Sequence, residues 1–256
     1  MNKSVVVLVL ACSVFAGSAR VASAQSAAAT DRGYINVGWG VESGSSNMSD
    51  TRTSLIYEES ATITSASTFT SGSLFDVGVG LRVWKNLTVG AAYHQEQNDT
   101  NGELTGSIPS PVFFNRPRNL NVEVQNLDRK ESATHLVIGW MVPIGAKFDV
   151  MVFGGPSFFR ITQDAVSEVT ITEPGTGSFS TVTAAAQITE RAKSVTGFNV
   201  GMDATYILWS NDSIRVGAGG FVRFTQASTE IEMLSGAGQP TDVGGVQFGF
   251  GGRLRF

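Results

Sequence analysis

Cysteine is almost missing from this chain, and the only one, Cys12, falls within the first 24 residues. With that segment removed, disulfide frameworks, thiolate zinc sites and thiol nucleophiles are all excluded. Charge is scarce too, at 16% of residues against the usual quarter or so. The net charge of −4 offers no basic stripe, so a nucleic-acid partner is excluded. There are two histidines, His94 and His135. His94-x-Glu96 alone supplies too few donors for zinc, which takes three or four ligands, so no metal or other cofactor is implied. Beyond the leader no run approaches the roughly 20 apolar residues of a transmembrane helix.

The leader has the layout of a secretory signal. Met1-Asn2-Lys3 is a short basic start, Val5 to Ala16 is an apolar run too short to span, and Val21-Ala22-Ser23-Ala24 supplies the small residues a signal peptidase reads. Val9-Leu10-Ala11-Cys12 loosely resembles a lipoprotein processing box. Apolar character continues through Val14, Phe15 and Ala16, which favours cleavage after Ala24. Loss of Lys3 and Arg20 then takes the net charge to −6. Residues 25–256 show no linker and no charge block, so a single domain is expected there.

What the chain has in plenty is glycine, 29 residues, and phenylalanine, 16, arranged with a period of two. Eight stretches alternate: Arg32 to Glu42, Ser71 to Val83, Leu87 to His94, Glu131 to Val142, Lys147 to Arg160, Ser194 to Ile207, Ile214 to Thr225, and Val243 to Phe256. Each carries one bulky apolar face and one face of Gly, Asp, Arg or other polar residues, which reads as strand. Short turn signals, Trp84-Lys85-Asn86, Pro143-Ile144-Gly145-Ala146 and Trp209-Ser210-Asn211-Asp212, alternate with long polar stretches. Ser43 to Thr70 and Gln95 to about Arg129 read as loops, the latter because Pro109, Pro111 and Pro117 oppose strand pairing. Thr62, Thr64 and Thr68 could extend a strand beyond any membrane. A hairpin is expected from Ser167–Thr172 and Ser178–Thr183 about Pro174-Gly175-Thr176-Gly177, projecting from the third loop, and Ala227 to Thr241 reads as a fourth, shorter loop.

Alternating short turns and long loops, an even strand number and spans of about ten residues are the pattern of a barrel with lipid outside and polar groups within. The last strand is the most telling. Val246, Phe248, Phe250, Leu254 and Phe256 share one face, opposite Gln247, Arg253 and Arg255, and the sequence stops on Phe256. Gly252 interrupts the apolar series. The stretch resembles the closing strand of bacterial outer-membrane β-barrels, and the chain as a whole is similar to the small outer-membrane barrels of the outer membrane protein A transmembrane type. The resemblance implies an all-β, eight-stranded antiparallel transmembrane barrel with long extracellular loops. Ten strands would result if the third-loop hairpin joined the wall. It also implies an assembly signal at Phe248, Phe250, Leu254 and Phe256, read by the barrel-assembly machinery after periplasmic chaperones. Lipid and lipopolysaccharide would surround a Gram-negative outer-membrane site reached by Sec-type export. Trp84 and Trp209 fall where the periplasmic aromatic girdle belongs.

Such barrels host many activities, so function has to be read from sites. By parity Asp76, Asp149 and Asp203 face inward with Arg82, Arg215, Arg253 and Arg255, mostly in the periplasmic half. In a barrel of eight strands side chains fill the interior, so these charges are expected to pair. Asp203 is expected to be the main acceptor, with Arg215 at matching depth across the Trp209 turn. The primary reading is a non-enzymatic barrel with a structural or surface-interaction role through its outer loops. A small pore lined by arginine is the alternative. A second alternative is a lipid A-directed hydrolase using a His94/His135 rim with Glu96, Glu131 and Ser132 near, although no enzyme motif surrounds either histidine.

Overall fold

The computed structural model describes residues 31–70, 72–173 and 179–256; the signal segment with Cys12, Ser71 and the turn at 174–178 lie outside them. Eleven strands form: β1 (Gly33–Ser43), β2 (Ser46–Ile56), β3 (Glu59–Phe69), β4 (Gly72–Trp84), β5 (Leu87–Ile108), β6 (Arg118–Pro143), β7 (Phe148–Thr172), β8 (Thr183–Ser210), β9 (Arg215–Glu232), β10 (Gly238–Val243) and β11 (Val246–Arg255). Eight of them close a ring in the order β5-β4-β1-β11-β9-β8-β7-β6, with β6 returning to β5. Every pairing is antiparallel. The first and last wall strands seal the barrel from Tyr34↔Arg255 to Ser43↔Val246. At the seam the Phe256 carbonyl accepts from the amides of Arg32 and Gly33, at 2.6 and 2.8 Å.

The period of two does in this ring what it does in any sheet, placing alternate side chains on opposite faces. Here the outer face is apolar: Trp39, Phe75, Val79, Val89, Tyr93, Leu136, Ile138, Val152, Phe158, Val200 and Phe250 are all exposed. Trp84, Trp209 and Phe256 ring the short-turn end, where bulges at Arg82/Trp84 and Ile207/Trp209 turn both tryptophans outward. At the far end the belt stops at Val41, Phe75, Tyr93, Leu136, Phe158, Phe198 and Phe248; beyond it outward positions such as Gln97, Lys130 and Arg160 are polar. These limits define the spanning segments of a lipid-facing barrel.

The wall does not end there, which corrects the expected loops. β5 and β6 stay paired from Leu87↔Trp140 to Ile108↔Arg118, with one bulge at Thr100/Gly102, so only residues 109–117 turn. The prolines sit in or beside that tip, where they cost no ladder bonds. β7 and β8 likewise pair out to Thr172↔Thr183, so the expected third-loop hairpin is the far end of two wall strands, and the ring has eight strands, not ten. Ser43 to Thr70 is a hairpin, β2 with β3, whose second strand pairs with β5 from Thr62↔Ser107 to Ser67↔Gly102. β10 pairs with the extension of β9, and Asp50 on β2 ties in that region by accepting from the Ser235 amide (2.6 Å) and Gln239 Nε2 (3.2 Å).

Above the membrane limit the two faces exchange character. Met48, Ile63, Phe69, Leu104, Ile108, Leu120, Val124, Leu127, Phe159, Ile161 and Ile231 fill the inside as one apolar cluster. Outside the lipid, water surrounds the wall, and the ordinary rule of apolar inside applies again.

Candidate functional site

The interior within the spanning segments is a stack of ion pairs. At its short-turn end Arg215 Nε donates to Asp31 Oδ1 at 3.0 Å, and a second ion-pair contact joins the same two residues. The expected Asp203–Arg215 contact is therefore replaced. Asp203 instead accepts from Arg253 Nε (2.9 Å) and Nη2 (2.6 Å), with Arg255 Nη2 at 3.8 Å. Arg255 also reaches Asn36 Oδ1 (2.7 Å), Thr205 Oγ1 (2.9 Å) and Asp149 Oδ1 (3.4 Å), and its guanidinium lies 5.3 Å over the Tyr34 ring. Arg82 stands at the same end with Nη2 3.2 Å from Met141 Sδ. Tyr34, Val137, Met141, Met151 and Phe153 form an apolar layer beside this cluster. The packing is tight enough that a Cβ at Gly80 would come 2.5 Å from Tyr34 Cζ.

Asp76 departs from the expected cluster. It lies eight residues up β4 from Trp84 and bonds Arg223, in the outer half of the span. Arg223 shares the inward parity of Arg215 on β9, but nothing in the sequence shows which acid it meets; ring closure through β11 and β1 decides that. Arg223 Nε also donates to Gln247 Oε1 (2.6 Å), and Gln247 Nε2 donates to Glu42 Oε2 (2.5 Å). Gln247 therefore bridges a cation and an anion.

Next to this bridge the two histidines meet. Their rings stack with centroids 4.9 Å apart, and His94 Nδ1 lies 2.7 Å from His135 Nε2. His135 Nδ1 lies 2.7 Å from Ser157 Oγ, which accepts from Asn199 Nδ2 at 3.0 Å. Asn199 Nδ2 also reaches the Gly155 carbonyl (2.9 Å) and the Pro156 carbonyl (3.3 Å), beside a break in the β6–β7 ladder between His135↔Ser157 and Ile138↔Gly154. Pro156 has no N–H to give that ladder. Both histidines and Ser157 are completely buried. Ser132, expected near them, points through the wall, its Oγ 3.5 Å from the Arg160 carbonyl. His94, His135 and Ser157 are thus in contact and fully buried, so the expected rim lies in the interior and Ser132 is not part of it.

Just above the membrane limit three carboxylates converge: Glu42 on β1, Glu96 on β5 and Glu131 on β6, the last two directly paired across the ladder. One ligand atom each from Glu42, His94 and Glu131 lies within 4.8 Å of the other two. Arg129 is the adjacent cation, reaching Gln163 Oε1 (3.1 Å), the Asp242 carbonyl (3.0 Å) and, more distantly, Glu131 Oε2 (3.4 Å). Burial, followed by the Glu42 and Glu131 charges, pushes the Glu96 carboxyl up to about 8. Burial, then the Glu42 charge, raises Glu131 to about 7 despite Arg129. A cavity of about 30 Å³, lined by Glu42, Phe69, Glu96, Arg129, Glu131 and Gly244, opens beside them. The sequence shows only His94-x-Glu96, because the remaining donors, Glu42 and Glu131, come from two other strands. Only the ring brings them to one depth.

No family model matches the chain, and no curated protein does. Among solved structures the chain is similar to Neisserial surface protein A (TM-score 0.40, 12% identity, 88% of this chain and 97% of that one). It is also similar to the outer membrane protein OprG from Pseudomonas aeruginosa (TM-score 0.42, 12% identity, 88% and 96%).

Proposed function

We propose that this chain is exported by its N-terminal signal and acts as a non-enzymatic outer-membrane barrel, closed to solutes, that holds a rigid extension out from the cell surface for contact with other molecules. The observation that carries this reading is the filled interior. Paired Asp203, Asp149 and Asp76 with Arg253, Arg255 and Arg223 block the span, and an apolar core blocks the extension above it. A conducting lumen requires a continuous wet path, and side chains that fill both layers support a closed barrel. At the outermost tip Val112, Phe113 and Phe114 stand exposed, Phe114 by 81%. This tip is braced by its neighbours: Glu59 Oε1 accepts from the Asn115 amide at 2.7 Å, and Arg118 pairs with Glu173 at 2.5 Å. Exposed bulky apolar groups on a braced support suit contact with a partner.

The test is planar-bilayer conductance of the purified, heat-modifiable protein. Silence at high salt over many insertions is expected, and reproducible single-channel steps would overturn the closed-barrel reading in favour of a pore.

A further inference from the structure

We propose that Glu42, His94 and Glu131 bind one divalent transition-metal ion, of the Zn²⁺ or Mn²⁺ class, at the junction between the polar lumen and the apolar cap. The donor set is the first argument. Carboxylate oxygens with one imidazole suit Mn²⁺ and Zn²⁺ better than Ca²⁺, which prefers oxygen alone. Ligands held about 2.0–2.2 Å from Zn²⁺ stand roughly 3.5 Å from one another. The three donors are already within 4.8 Å and buried, so small glutamate rotations close the site. Glu96, opposite Glu131, or a water in the adjoining cavity can complete four ligands.

Charge is the second argument. Among the described residues three acids crowd this level against one adjacent cation, Arg129, since Arg223 bonds Asp76 and Gln247. Fully ionised, the group carries a net charge of about minus two, and buried charge demands compensation. Glu131 is 2% exposed, and its Oε1 has no hydrogen-bond partner among the described residues. A buried carboxylate oxygen without a partner, beside a histidine, is free to take a cation.

Orientation is the third. With a metal on His94 Nε2, His94 Nδ1–H donates to His135 Nε2, and His135 Nδ1–H donates to Ser157 Oγ, which Asn199 fixes. Such an outer chain sets the tautomer and holds the ring in place. Gln247 Nε2, 3.3 Å from His94 Nε2, would retain Glu42 Oε2 with an ion on that nitrogen.

The experiment uses the full barrel in detergent, stripped with a chelator and titrated with Mn²⁺ alone, then with Zn²⁺ as competitor. One saturable Mn²⁺ per barrel is expected, displaced by Zn²⁺. Pulsed electron paramagnetic resonance on the wild type should show coupling to an imidazole nitrogen, a signal that the two histidines alone can give. Glu131→Gln, checked for folding by heat-modifiable mobility, should weaken binding at least about tenfold, the loss that even an outer-shell partner costs. Absence of saturable binding, bound Mn²⁺ without nitrogen coupling, or a folded Glu131→Gln with wild-type affinity each overturns the proposal. Should Glu131→Gln fail to fold, the wild-type nitrogen coupling decides.

Discussion

Replacing Asp203 by alanine removes the acceptor of two charge-assisted bonds from Arg253, whose side chain is 1% exposed. What remains near that guanidinium is the Gly252 carbonyl, 3.2 Å from Nη1, which is a neutral acceptor on the neighbouring residue. Arg255 is less affected, because Asn36, Thr205 and Asp149 still hold it. Breaking one side of a buried pair costs about 3 to 5 kcal/mol, most of it the stranded charge. At about 1.4 kcal/mol per tenfold, that is a loss of two to three and a half powers of ten in the folding equilibrium. Urea unfolding in lipid vesicles, followed by tryptophan emission, reads it directly, since Trp39, Trp84, Trp140 and Trp209 all face outward. The informative partner is Asp203→Ala with Arg253→Met, which removes both charges. Apolar replacement of a whole buried pair is often neutral, so the double variant should recover most of the loss. A single-variant change under about 1 kcal/mol, or a double variant no better than the single, would refute the account of the lumen as paired charge.

Two further outcomes follow from the facing and from the outer rim. Val200→Arg puts a charge on the lipid side near mid-span and should cost about 2 to 4 kcal/mol in bilayers, while Val200→Leu should be nearly silent; equal stability of the two variants would mean the wall has been read inside out. For the chelator-treated protein, Glu96 and Glu131 lie above the membrane limit with folded pKa values of about 8 and about 7, raised from an ordinary 4.5. A raised acid favours the folded state below its unfolded pKa and loses that contribution as pH climbs through the folded value. Stability measured by urea titration should therefore fall as the pH is raised from about 4.5 toward about 8, and Glu96→Gln should flatten the slope; a slope of the opposite sign would count against the burial of these acids.

How the strand pattern translated into structure differs between the two halves of the molecule. Within the span, Val79, Val89, Ile138, Val152, Val200 and Val216 face outward as their parity requires, because every second side chain must meet lipid and the Gly, Asp and Arg between them must not. Trp84 and Trp209 mark the short turns for the same reason. Beyond the span the medium changes from lipid to water while the backbone continues unchanged. Leu104, Leu120, Val124 and Leu127 are then the inward set, spaced among Asn, Glu, Thr and Gln that look like loop. The signal is present at a period of two, but its apolar face has exchanged sides, so it does not read as an outward apolar belt.

The lumen divides along the same line. Strand period alone decides that Asp203, Arg253, Arg255, His94 and His135 point inward, since a one-residue shift would put a charge into lipid. It does not decide who meets whom. Asp76 finds Arg223, and Arg215 finds Asp31, because closing β1 onto β11 brings these residues, 147 and 184 positions apart, together. The sequence by itself determines eight lipid-facing strands and their facing, which are local consequences of alternation and of the cost of charge in lipid. Ion-pair partners, the packed interior and the convergence of Glu42, His94 and Glu131 belong to the tertiary structure, because they depend on the stagger at which the ring closes, and no single strand carries that quantity.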